Sequence, residues 1–193
     1  SWEGKIPRTK VGFDTLEIEG QKYLVLHLDN YPDLSSIKLL ATALHEGFHY
    51  FGQSEWKNNR ILQGRGNIYP LQAIPRYYRW EMKNHLINYY KTKDETELGK
   101  FAYWFNKWKI NFPEEANSYT DRIEGTAQYY TNQMMTIYNS QINKTPIPPF
   151  EVFMQNRATN QPFRKMFSLS YESYVLGTLT GMILDQKVGK GWQ

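Results

Sequence analysis

The chain has 193 residues, four histidines and no cysteine, with a formal charge of +4 from 23 basic and 19 acidic residues. That length suits one domain with a substantial core, and the missing cysteines exclude disulfides, thiolate metal sites and cysteine nucleophiles. The mild, dispersed charge, with no run of five like charges, argues against nucleic-acid binding, and the uncharged run at 173–184 is too short to span a bilayer.

In chain order, residues 14–28 read as a β-hairpin. Thr15-Leu16-Glu17-Ile18 alternates, Glu19-Gly20-Gln21 turns, and the run from Tyr23 to Leu28 is rich in β-formers and closes on His27-Leu28. Ser35 and Ser36 supply N-caps for a helix reaching about Phe51, with an apolar stripe of Leu40, Leu44, Phe48 and Phe51 and a stop at Gly52. Gly47 inside it costs about 1 kcal/mol relative to alanine and lets another element or a substrate approach closely. Residues 52–74 read as an irregular loop. A second helix follows Pro75, with Tyr78, Met82, Leu86 and Tyr89 on one face. A third starts near Asp94 and carries Leu98, Phe101, Ala102, Phe105 and Trp108 at helical spacing. Pro113-Glu114-Glu115 opens a long fourth helix to about Tyr138, buried along Ile123, Ala127, Tyr130, Met134 and Ile137. Asn143 to Phe150, with three prolines, reads as a loop, and a last helix spans about Ser168 to Asp185. Its Gly177-x-x-x-Gly181 pair permits close helix packing. The sum is a mostly helical α+β chain of one domain, with a β element at about 11–30 and a helical body at about 35–193.

Two of the four histidines fall in His45-Glu46-Gly47-Phe48-His49, an HExxH motif inside the first helix. At 3.6 residues per turn His45 and His49 lie about 40° apart, and Glu46 lies about 100° from the one and about 60° from the other, so all three can face one point. Two neutral imidazoles can then bind one Zn²⁺ while the carboxylate reaches the water on its open side. No charged residue occurs from Leu39 to Leu44 or at Tyr50-Phe51, so Glu46 is the one carboxylate in the middle of an apolar helix. The bland alternative, buried histidines that only hydrogen-bond to neighbours, is the costlier one without a metal or partner.

The stretch from Thr42 to Phe51 resembles the extended motif of zincin metallopeptidases, which wants uncharged residues at these flanking places. The resemblance implies a zincin-like fold with the hairpin packed on the active-site helix, and a third protein ligand with water in the fourth position. Two carboxylates compete for that place. Gly52 and Glu55 complete HExxHxxGxxE, which looks like the metzincin pattern with glutamate in place of its final histidine or aspartate. Glu124-Gly125-Thr126-Ala127-Gln128-Tyr129 resembles the EGxAxY signature of gluzincin-like bacterial peptidases, in which a second helix supplies the glutamate. Gly125 and Ala127 are small enough for that helix to pack closely on the histidine helix, and Glu124 is favoured over Glu55. The aspartate that some gluzincins carry four residues later is here Gln128, so a supporting carboxylate has to come from elsewhere, with Asp121 a candidate. By the same resemblance Tyr174 and Tyr171 are the candidate oxyanion donors, with Tyr129 and His85 behind them.

The expectation is zinc-dependent peptide-bond hydrolysis on a peptide or protein substrate, with His45, His49 and Glu124 as ligands and Glu46 as general base. An extended substrate pairing along residues 22–28 would suit such a site. An extracytoplasmic setting, secreted or in the cell envelope, is favoured over the cytoplasm. Two other classes stay open: a zinc-binding or peptide-binding module without turnover, and a structural helical domain of a larger envelope or secreted protein.

Overall fold

A computed structural model describes residues 13–26, 37–56, 72–117, 119–153 and 169–189. The chain divides into two compact units, Ser1–Glu55 and Trp56–Gln193. The described part is mostly helical with one small sheet, as the α+β reading expects.

In the first unit β1 (Phe13–Ile18) runs antiparallel to β2 (Gln21–Leu26), pairing Ile18 with Gln21 and Phe13 with Leu26. The turn is tighter than the sequence suggests. Gln21 already belongs to β2, and Glu19 (φ 52°) and Gly20 (φ 77°) alone make the reversal, both in the left-handed region that suits two-residue hairpins. His27 and Leu28 lie outside the described residues, as do the expected caps Ser35 and Ser36.

Helix α1 (Ile37–Gly47) continues into one wider turn, Phe48–Gly52, closed where the Gln53 N–H donates to the Phe48 carbonyl at 3.0 Å. That i→i+5 bond advances each residue by less than the α-helical 100°. The widening rotates Phe51 off the expected stripe, and its side chain is exposed, whereas Leu40, Leu44 and Phe48 are half-buried. The turn ends at Gly52, where the sequence places a stop. The neighbour of Gly47 is Leu24 of β2: a Cβ added there would meet it at 4.0 Å, an ordinary contact, so packing does not itself demand glycine.

The second unit holds α2 (Ala73–Thr92), α3 (Glu95–Asn111), the short α4 (Pro113–Ala116), α5 (Thr120–Asn143), the short α6 (Pro149–Phe153) and α7 (Leu169–Val188). Of the expected loop at 52–74, residues 57–71 lie outside the described residues. Helix α2 begins two residues before Pro75, which sits in the first turn where its missing N–H costs nothing. Met82, Leu86 and Tyr89 are buried as the stripe predicts. Asp94 caps α3 by accepting from the Thr96 N–H at 2.9 Å.

The long fourth helix expected from Pro113 is in fact two. Tyr119 adopts a left-handed φ of 55° and separates α4 from α5. The break leaves α4 free to turn Glu115 inward, where its carboxylate accepts from the Trp108 indole N–H at 2.9 Å and from Arg76. On α5, Ile137 is exposed, so the expected stripe fails at its end. The buried surface runs instead through Ile123, Ala127 and Met135 with Thr131, Asn132 and Thr136, because α5 packs along α7 and also meets α6. The expected loop at 143–150 is likewise shorter: Pro149 and Phe150 open α6, where Phe150 stacks on Tyr90 at 4.3 Å.

Close packing falls where the glycines are. A Cβ on Gly125 would come within 2.7 Å of the Gly177 Cα, and one on Gly181 would strike the Tyr129 ring at 2.5 Å. Gly125 therefore serves the α5–α7 contact, and the Gly177-x-x-x-Gly181 ridge acts as its spacing predicts. No helix among the described residues is long and apolar enough to cross a membrane.

Candidate metal centre

The motif His45-Glu46-x-x-His49 straddles the junction between α1 and its wider last turn. One helical turn separates the histidines, and their side chains meet: Nε2 of His45 lies 3.1 Å from Nε2 of His49, with ring centroids 4.7 Å apart and planes at 84°. The other nitrogen of His49, Nδ1, lies 2.8 Å from the side-chain oxygen of Gln53. An amide oxygen only accepts, so Nδ1 carries the proton and Nε2 of His49 presents a lone pair. Gln53 is fully buried. Two kinds of occupant suit such a pair: a proton donated from His45 Nε2, or one cation seated between two lone pairs. Two nitrogens bound to one tetrahedral zinc at 2.0–2.1 Å stand roughly 3.3 Å apart, close to the separation seen. The residues present thus fit a metal of this type.

Gln53 was not among the sequence-predicted residues. Its position four after His49, one turn further on, is the signal that marks it. A neutral carbonyl behind a ligating histidine is a common way of orienting the ring.

The other predicted residues fall as follows. Glu46 is half-buried on α1, and Glu55 is exposed in the bend after Gly52. Glu124 is half-buried on α5 and Tyr174 half-buried on α7. Tyr171 belongs to the first turn of α7, and its side chain lies outside the described residues. Tyr129 is buried, and its hydroxyl donates to Asp185 at 2.5 Å. His85 meets Glu97 through Nδ1 at 2.8 Å, as a satisfied histidine of the helical unit does.

Asp121, the candidate supporting carboxylate, takes part in a buried network of the helical unit. Its carboxylate accepts two bonds from Arg79, each 2.5 Å, and one from the Ser173 hydroxyl at 2.7 Å. Burial of Arg79 works against its charge, but Asp121 and Glu172 beside it outweigh that, holding the guanidinium above its ordinary pKa. The same guanidinium lies 4.4 Å from the Trp108 ring centre. Arg76 donates to Glu172 at 2.7 Å and to Glu115. This buried network joins α2, α4, α5 and α7 and was invisible in the sequence.

No protein-family model matches this chain, and no curated protein or solved structure matches it either.

Proposed function

We propose that the chain is a zinc-dependent peptidase. The observation that carries this reading is the pair of histidine Nε2 atoms 3.1 Å apart on one helix, with Gln53 holding the His49 lone pair inward. His45, His49 and Glu124 are the proposed donor set, two neutral nitrogens and one carboxylate, the chemistry of a catalytic zinc site. Bound there, zinc supplies Lewis-acid activation of a water and of the scissile carbonyl. Glu46, on the same helix as the two histidines, takes the proton from the attacking water and delivers it to the departing amide nitrogen. Tyr174 and Tyr171 are the proposed donors to the developing oxyanion. Strand β2 belongs to a sheet of two strands among the described residues and offers an edge along which an extended peptide can pair.

Glu46→Gln tests the assignment. The variant is expected to retain its zinc after purification without added metal while peptide hydrolysis falls about 10²–10⁴-fold. If the unmodified protein purifies with substoichiometric zinc at micromolar supply, the reading fails. Zinc content of Glu124→Ala beside Glu55→Ala decides the third ligand: Glu124→Ala is expected to empty the site, and loss only in Glu55→Ala transfers the role to Glu55.

A further inference from the structure

The helical unit carries an aromatic surface that the peptidase reading does not use. Where the first half of α2 meets the second half of α3, Trp104 lies between three tyrosines, with centroid distances of 5.4 Å to Tyr77, 5.4 Å to Tyr78 and 5.1 Å to Tyr103. Lys107 folds over this cluster. Its ammonium lies 5.3, 5.5 and 5.2 Å from the rings of Tyr78, Tyr103 and Trp104, and it approaches the Tyr103 hydroxyl at 3.4 Å. All three distances are within cation–π range. No carboxylate pairs with Lys107 among the described residues; the acid of this patch, Glu81, is engaged by the Tyr77 hydroxyl.

The same face leaves large side chains in water. Tyr77 is 49% exposed, Tyr103 57%, Ile74 59% and Ile110 76%. Ile74 stands one turn before Tyr77, and Ile110 two turns beyond Tyr103, so on each helix the pair shares one face. Isolated exposed apolar residues are ordinary, but four of them around an aromatic cluster form a patch. Tyrosine and tryptophan favour the boundary between water and lipid, and an unpaired lysine among them suits anionic headgroups.

We infer that this patch, Ile74, Tyr77, Tyr103, Trp104, Lys107 and Ile110, docks the protein on the surface of an anionic membrane. The charge decides between occupants: a purely apolar partner would leave the Lys107 ammonium desolvated and unpaired, whereas anionic headgroups pair with it. The contact is peripheral, with Ile110 and Ile74 entering the headgroup boundary. It stands independently of the metal site.

Co-sedimentation of the full chain with vesicles of phosphatidylcholine alone and of phosphatidylcholine mixed with phosphatidylglycerol tests this. Binding is expected to the mixed vesicles, to weaken with added salt, and to drop about fivefold in Lys107→Gln. Ile110→Ser, a surface change that leaves the core intact, is expected to weaken it as well, with circular dichroism confirming the fold of both variants. Absence of binding to the mixed vesicles overturns the proposal, as does equal binding to both compositions. Vesicle-free self-association that Ile110→Ser abolishes would assign the patch to a second copy of the chain instead.

Discussion

In the helical unit two buried guanidiniums, Arg76 and Arg79, face the carboxylates of Glu115, Asp121 and Glu172, whereas the turn ending α1 in the other unit sets two imidazoles against each other, Nε2 to Nε2. The first arrangement answers its own charges: every cation has an anion beside it, and the network ties four helices together. Two like nitrogens at 3.1 Å share at most one proton between them, and what they jointly offer is affinity for something positive. Polar burial in the bundle is met by its own countercharges, whereas the histidine pair is the feature on which the proposed metal site rests.

Substitutions separate the two. Arg79→Ala removes a buried guanidinium from Asp121 and leaves Glu172 to Arg76, and a loss of about 3 kcal/mol is expected in denaturant unfolding. A loss below about 1 kcal/mol, on the scale of an exposed ion pair, would remove the stability role assigned to the network. Gln53→Ala acts on the other side of the comparison. Zinc affinity, measured by competition with a chelator, is expected to fall about 10–100-fold, with Gln53→Glu restoring much of it because a carboxylate oxygen also accepts from Nδ1. An unchanged affinity in Gln53→Ala would show that the amide does not orient His49.

The smallest effect concerns Glu97, whose carboxyl is held down to about 2 by hydrogen bonds from His85 and Lys100. A depressed carboxyl stabilises the fold fully above the ordinary carboxylate range, and that contribution is lost as pH falls from there towards about 2. Melting temperature followed against pH should decline less steeply over this window in Glu97→Gln than in the parent chain. Parallel curves would mean the His85–Glu97–Lys100 group adds nothing to stability.

Much of this was legible in the chain because the signals are local. Apolar spacing placed α2, α3 and α7, Asp94 marked its helix start, and the positions of His45 and His49 in the sequence sufficed to predict one helical turn between them. The break at Tyr119 was not legible, since the pattern from Pro113 onward is equally good for one helix. What interrupts it is the demand of Arg76 and Trp108 on Glu115, and Arg76 lies 39 residues away in sequence. The salt-bridge network is equally distant, joining Arg76 to Glu172 across 96 residues.

The residue types of HExxH and the placing of its histidines about one turn apart were thus set by the sequence alone, because helical spacing makes positions i and i+4 neighbours. Tertiary structure decided which atoms those side chains present. After the wider turn Gln53 is buried, with its side-chain oxygen 2.8 Å from His49 Nδ1, a contact that suits the tautomer protonated at Nδ1. Packing around α5 likewise decided that Gly125 meets Gly177 and that Asp121 answers Arg79. Such pairings depend on which surfaces exclude water together, a property of the assembled helices that no local pattern encodes.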